Sequence, residues 1–182
     1  EANYHDNGVT TLPSNNLKPE KLDTLELIFE KYLTHEIRSE LNFFRSHIED
    51  IISLTSTPDD LLQTRNAGNA ESIGTEVQLE ANYANGYQGR ISYSLQETKN
   101  KTTNNRFTNS PTHMVKLNLI APIWSDSVFA GFETQYMSNR KTPLGAGVSD
   151  HVISNLTLFN QNWFKGVEFT AGLYNLFNER FF

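Results

Sequence analysis

Apolar and polar residues alternate with a period of two along most of this chain, the pattern of strands that have one oily and one wet face. The alternation starts near Leu22, where Leu25, Leu27, Phe29 and Leu33 interleave with Thr24, Glu26, Ile28 and Glu30. After Thr34-His35-Glu36 a second run extends from Ile37 to about Leu54, with Leu41 and Phe43 on one side and Glu40 and Asn42 on the other. Two such runs around a tight connection predict a hairpin. The clearest alternation sets Val77, Leu79, Ala81 and Tyr83 against Glu76, Gln78, Glu80 and Asn82. Asn85-Gly86 then predicts a type I′ turn, because that turn requires positive φ at both central residues. The returning strand carries Ile91, Tyr93 and Leu95 against Arg90, Ser92, Ser94 and Gln96, so the two polar faces match.

Further strands follow the same rule. Val115, Leu117, Leu119 and Ala121 alternate with Lys116 and Asn118; a turn at Trp124 to Ser127 reverses the chain; Phe132 and Tyr136 then alternate with Glu133 and Gln135. Val152, Ser154, Leu156 and Leu158 lead to a turn at Asn162 to Gly166, after which Val167, Phe169, Ala171 and Leu173 return. The fold predicted is all-β: an antiparallel up-and-down meander of about eight long strands, each of roughly 10 to 12 residues.

Length and connections set the environment. Strands of soluble proteins most often run about 5 to 6 residues, whereas a tilted strand crossing a bilayer needs about 9 to 11. Connections near 34–36, 85–86, 124–127 and 162–166 are short; those near 55–73, 99–111 and 141–150 are long and polar, and residues 1–21 read as a loop at the long-loop end. Strict alternation of short and long is the arrangement of outer-membrane barrels. Unpaired backbone groups are costly in lipid, so such a sheet must close, either as a small barrel or as one arc of a larger one.

Composition narrows the classes. The chain has 182 residues, a net charge of -6 and 37 % hydrophobic residues, a balance that gives no reason to expect nucleic-acid binding. Aromatics at 12 % in so polar a background suit two-faced strands better than a thick core. The absence of cysteine excludes disulfide scaffolds, cysteine-based zinc sites and thiol chemistry. The longest apolar run, Leu119 to Trp124, is far below the length of a membrane helix. The opening Glu-Ala-Asn-Tyr-His-Asp lacks a secretion signal, so either a signal was removed or the segment begins inside a longer protein.

No residues stand out as catalytic or as a metal site. Glu26 with Glu30, and Glu76 with Glu80, are carboxylates on one strand face and read as the lining of a wet lumen. His5, His35, His47, His113 and His151 have no metal-ligand spacing, and no nucleophile-elbow motif presents a serine. Asp59-Asp60 lacks the spaced oxygens of a calcium loop, and the triplets at Asn100 and Asn155 read as chance glycosylation matches. Trp124, Trp163 and Phe164 beside short turns, and Tyr136 towards the other end of its strand, suit aromatic girdles at membrane interfaces. Lys31 falls on a lipid-facing position near a strand end, from which its stem reaches the interface.

Three segments carry a resemblance. Asn16-Leu17-Lys18-Pro19-Glu20 before a strand with Glu26, Asn66-Ala67-Gly68 with Gly74-Thr75-Glu76, and Gly172-Leu173-Tyr174-Asn175-Leu176-Phe177-Asn178-Glu179-Arg180-Phe181 resemble, in this order, the "NLKPE…E", "N-x-G…G-x-E" and "V-x-N-L-F-D-x-x-Y" segments of TonB-dependent outer-membrane receptors. The resemblance implies a transmembrane β-barrel of 22 strands around a plug domain. Residues 1–182 would be a C-terminal fragment of that barrel, about its last third, with 1–21 an external loop, 22–177 hairpins, and Phe181-Phe182 a stop within the last loop. It implies a receptor in the cell outer membrane and not an enzyme. The cargo implied is a scarce nutrient such as a ferric siderophore, haem or cobalamin, with no cofactor. The partners implied are the lipid bilayer and the TonB energy-transducing complex, which is reached through the N-terminal plug. The external loops, 1–21, 55–73, 99–111 and 141–150, are the expected ligand-contacting regions, and no single ligand-binding residue stands out. A complete small eight-stranded outer-membrane protein and a soluble β-sandwich binding module are the alternatives.

Overall fold

The computed structural model describes residues 5–6, 9–14, 16–59, 61–124, 127–142, 145–161 and 166–180. Among them there is no helix. The strands in chain order are β1 His5–Asp6, β2 Val9–Leu12, β3 Lys21–Tyr32, β4 Ile37–Glu49, β5 Ile52–Ser56, β6 Leu62–Asn66, β7 Ala70–Asn82, β8 Gln88–Asn100, β9 His113–Trp124, β10 Val128–Met137, β11 Arg140–Lys141, β12 Gly147–Val148, β13 His151–Asn160 and β14 Thr170–Leu173.

Eight of these form one sheet in the order β14-β13-β10-β9-β8-β7-β4-β3, a meander in which successive long strands are neighbours. Seven of its strands have 10 to 13 residues and β14 has 4. The expected alternation holds in the register: Ile91 stands opposite Leu117, Phe132 opposite both Leu119 and Leu156, and Arg90 opposite Asn118. Each face therefore keeps its predominant character across several strands, with Thr134 and Ser154 a hydrogen-bonded polar pair on the apolar one.

Three expectations are corrected. The second run does not continue to Leu54: Asp50 adopts φ 55, a left-handed conformation that Asp tolerates better than most residues, and Ile52–Ser56 becomes a separate strand paired with β6. Residues 1–21 are not wholly loop, since they contain β1 and β2. The Asn85-Gly86 turn is not type I′, because only Gly86 has positive φ, at 88°. Tyr83 N–H donates to the Tyr87 carbonyl at 2.9 Å and Gly86 N–H to the Tyr83 carbonyl at 3.0 Å, a three-residue loop with glycine in its left-handed position. In two of the other three expected turns, residues 125–126 and 162–165 lie outside the described residues, as do Asp60, Trp163, Phe164 and Phe181-Phe182.

The sheet has almost no core. Buried apolar residues are Ala70, Phe129 and Val148, and no large side chain is fully buried among the described residues. Leu25, Phe29, Val77, Leu79, Ile91 and Leu119 are exposed instead, Leu25 at 76 %. A β-sandwich buries such residues between two sheets, so the single layer is not the soluble sandwich held as an alternative. Nor does the sheet close on itself: β3 and β14 are its edges among the described residues.

The described chain divides into two compact units, 26–44 with 74–97 and 108–182, and 1–25 with 45–73 and 98–107. Within the first, Gly74 permits close packing in β7: a Cβ there would fall 2.5 Å from Phe44 Cζ and 2.7 Å from the Leu95 carbonyl oxygen. Within the second, a four-stranded sheet runs β1-β2-β6-β5, and β2 pairs parallel with β6. Asn66 closes the end of β6 with its carboxamide. Its Nδ2 donates to the Lys18 carbonyl at 2.9 Å and the Asp50 carbonyl at 2.6 Å, while Oδ1 accepts the Lys18 N–H at 2.8 Å. Glu20 Oε1 accepts the Ile52 N–H at 2.7 Å, a further tie to the same stretch.

Gly74→Ala is expected to destabilise the folded state by about 1–3 kcal/mol through overpacking, read as a lower midpoint of heat-induced unfolding of the detergent-solubilised protein. Asn66→Leu is expected to cost about 1–3 kcal/mol because it leaves backbone groups of Lys18 and Asp50 without their partner. Faster hydrogen exchange at Lys18 would check it; unchanged exchange would sink the clamp.

Candidate functional site

The polar face of β3, β4, β7 and β8 carries an ion-pair network centred on Arg38. Its Nη1 donates to Glu30 Oε2 at 2.8 Å and approaches Glu40 Oε2 at 3.6 Å, and its Nη2 donates to Glu80 Oε2 at 2.9 Å. The other Glu80 oxygen accepts Arg90 Nη2 at 3.3 Å and Asn82 Nδ2 at 3.0 Å. A guanidinium suits this place because its planar fork of donors reaches several carboxylates at once, whereas a lysine acts as a single point charge. Glu80 is the most enclosed member, with 17 % of its side chain exposed, and it is the one bonded from most sides.

Beside this network lies an open hollow of about 310 Å³ lined by Glu40, Glu76, Arg90, Ser94, Met114 and Lys116, among others. Ser94 Oγ donates to Glu76 Oε1 at 3.1 Å, so the polar faces of β7 and β8 meet as the alternation predicts. Glu40 and Glu76 face Arg90 and Lys116, which gives the hollow both signs of charge. Such a wall offers both hydrogen-bond donors and acceptors. A smaller hollow of about 210 Å³ adjoins Glu80, Asn82, Gln88 and Arg90.

Of the carboxylates singled out in the sequence, the structure brings Glu30 and Glu80 together through Arg38 and gives Glu76 a serine partner; Glu26 is exposed on β3. The histidines stay apart. His47 Nε2 lies 3.4 Å from Glu49 Oε1, the Tyr93 hydroxyl is 2.9 Å from His113 Nδ1 with the rings stacked, His151 Nδ1 bonds the Ser149 carbonyl, and His35 sits in the β3–β4 turn. Among the described residues no group of three or more His, Cys, Asp or Glu can hold a metal ion.

The connections expected to contact ligand are more ordered than loops. The stretch 55–73 holds most of the β5–β6 hairpin and the start of β7, and 141–150 contains β12. In 99–111, Asn100 Oδ1 accepts the N–H groups of Thr102 and Thr103 at 2.9 Å, and Asn109 Oδ1 accepts Arg140 Nε at 2.9 Å. Sequence reading missed Arg38 as the hub. Its one local signal is that Arg38, the second residue of β4, lies just across a tight turn from Glu30.

Solved structures with the same fold are receptors and transporters. The ferric yersiniabactin uptake receptor FyuA from Yersinia pestis matches with a TM-score of 0.70 at 18 % identity, over 93 % of this chain and 28 % of its own. The copper transporter OprC matches at 0.69 and 15 %, over 91 % and 26 %. The FrpB iron transporter from Neisseria meningitidis matches at 0.66 and 12 %, over 94 % and 29 %. The chain thus spans between 26 and 29 % of the length of these proteins. No curated protein matches it. The family model described as TonB dependent receptor-like, beta-barrel, matches residues 2–176, and the chain belongs to that family.

Proposed function

We propose that this chain is part of the wall of a 22-stranded transmembrane barrel in the cell outer membrane, and that the whole protein is a receptor importing a scarce nutrient such as a ferric siderophore, haem or cobalamin. One observation carries the reading: a single-layer sheet of bilayer-length strands exposes its apolar residues on one face and gathers its charges on the other. In lipid the apolar face is solvated by acyl chains, and the polar face lines a wet lumen. Tyr83 and Tyr87, 45 % and 48 % exposed, flank the β7–β8 turn, and Trp124, 67 % exposed, ends β9. Rings at these short-turn ends suit the headgroup boundary.

The copper, iron and ferric yersiniabactin in the names of the similar receptors support a metal or metal-chelate cargo. Import is driven by the TonB energy-transducing complex, engaged through the plug domain that the family carries. The chain's own part is passive: its lumen face and the connections 1–20, 50–69, 101–112 and 138–150 shape the path, and no bond of the cargo is broken.

The native gene product is expected in the outer-membrane fraction with an intact mass several times the 20.7 kDa of this chain; a mass near that value would overturn the reading. Arg38→Met is expected to lower the barrel's unfolding temperature, because Glu30, Glu40 and Glu80 lose their shared cation, and Glu80→Gln in the same protein is expected to recover part of the loss. Equal effects with and without Glu80→Gln would show the network to be inert. Deletion of residues 101–111, which spares β8, is expected to reduce cargo uptake severalfold while leaving the folded barrel in the membrane; unchanged uptake would remove that connection from the path.

A further inference from the structure

We propose that Arg45 and Lys101 form a binding site for the phosphate of a lipid headgroup, a site that rests on the barrel reading of the chain. Arg45 Nε and Nη2 both donate to Glu71 Oε1, at 3.0 and 2.6 Å, and Lys101 Nζ lies 3.8 Å from the same oxygen. Two cations thus meet over one carboxylate, which leaves one positive charge in excess, in a chain whose net charge is -6. Both stay accessible: the Arg45 side chain is 62 % exposed and that of Lys101 45 %. The main chain fixes Lys101 in place, since its N–H donates to the Asn69 carbonyl at 2.9 Å.

The position along the strands points to lipid. Period-two alternation puts Arg45 on the face of Leu41 and Phe43, and Glu71 on the face of Ile73, Val77 and Leu79. On both strands the apolar row ends here and charged residues begin: Arg45, His47 and Glu49 follow Phe43 on β4, and Glu71 precedes Ile73 on β7. Ile73 and Tyr83, at the short-turn end, stand ten residues apart, and a strand crosses a bilayer in about 9 to 11. Arg45 and Glu71 therefore fall at the headgroup level opposite to that of the tyrosines.

Donor geometry and charge select a phosphate. A guanidinium presents a planar fork that matches phosphate oxygens, and an ammonium adds a compact charge beside it. Glu71 accepts through a single oxygen and so holds the two cations side by side, and among the described residues Arg45 Nη1 has no acceptor. The other carboxylate on this face of β4, Glu49, is directed at His47, whose Nε2 lies 3.4 Å from its Oε1. Glu49 stands four residues beyond Arg45, roughly 13 Å along a strand. Exposed charges so far apart are largely screened at physiological ionic strength, so Glu49 does not cancel the pair. The source is a lipid and not a free ion because Phe43 and Ile73, two positions along from Arg45 and Glu71, are 45 % and 57 % exposed and offer acyl chains a surface. A free phosphate would leave that surface bare.

The test titrates the purified full-length receptor in neutral detergent micelles with phosphatidic acid, with diacylglycerol and with inorganic phosphate, and counts bound molecules by native mass spectrometry. The unaltered receptor is expected to hold phosphatidic acid and to release it as salt is raised. Arg45→Gln/Lys101→Gln is expected to bind phosphatidic acid at least about tenfold more weakly, each basic residue at an anionic surface contributing about fivefold. Diacylglycerol, which lacks the phosphate, is expected to bind both proteins equally. Equal affinity for phosphatidic acid in a folded double variant would overturn the site, and so would inorganic phosphate binding as tightly as the lipid. Salt-insensitive binding by the unaltered receptor would overturn it as well, whether or not the variant folds. Heat-modifiable gel mobility reports the folded barrel separately, so failure of the barrel reading and failure of this site are told apart.

Discussion

A single-layer sheet has no second layer in which to hide a face, and this constraint governs the rest of the structure. Each face must be compatible with its own surroundings across every strand, so the period-two alternation must stay in register from β3 to β14. A slip of one residue would exchange the faces along a whole strand. The register keeps Ile91 with Leu117 and Arg90 with Asn118, and the interstrand hydrogen bonds satisfy the backbone. The sparse core is therefore the expected outcome of an architecture whose apolar residues are solvated from outside.

The polar face has the converse difficulty of holding many charges close together. Glu30, Glu40 and Glu80 surround one guanidinium, and Arg90 supplies a second cation to Glu80. Such half-exposed pairs contribute little individually to stability. Their effect is geometric: bonds of 2.8 and 2.9 Å from one rigid fork tie residues of three neighbouring strands to fixed positions, giving the wall a defined shape beside its hollow. Unpaired, the same carboxylates would repel one another, so Arg38 makes the acidity of this face tolerable.

What was legible in the sequence follows from the range of each interaction. Alternation is local, so the seven long strands, their polar faces, and the membership of Glu30 and Glu80 in one lining could be read directly. The loop roots could not. Asp50 breaks β4 from β5 by a backbone conformation that no periodicity signals, and Asn85 looked like a turn residue with positive φ when the positive φ belongs to Gly86 alone. Arg38 as a hub depends on which residues of distant segments stand beside each other. That register is fixed by the whole sheet and not by any one strand. The motif segments were recognisable in the sequence, but what their residues do was not.

The asparagines within those segments show what they do. Asn66 bonds both the N–H and the C=O of Lys18, at 2.8 and 2.9 Å, and Asn175 does the same to Glu179 at 2.8 and 3.0 Å. A carboxamide offers one donor and one acceptor in a plane, as a peptide group does, so each asparagine acts as a short piece of strand at a point where the main chain turns away. Asn160, outside the recognised motifs, works in the same manner on Phe169 and Val167 where β13 ends. Aspartate could not replace any of the three, because an ionised carboxylate accepts but cannot donate. A sheet that must satisfy its backbone up to the last residue thus requires asparagine at its margins for the same reason that it requires alternation along its strands.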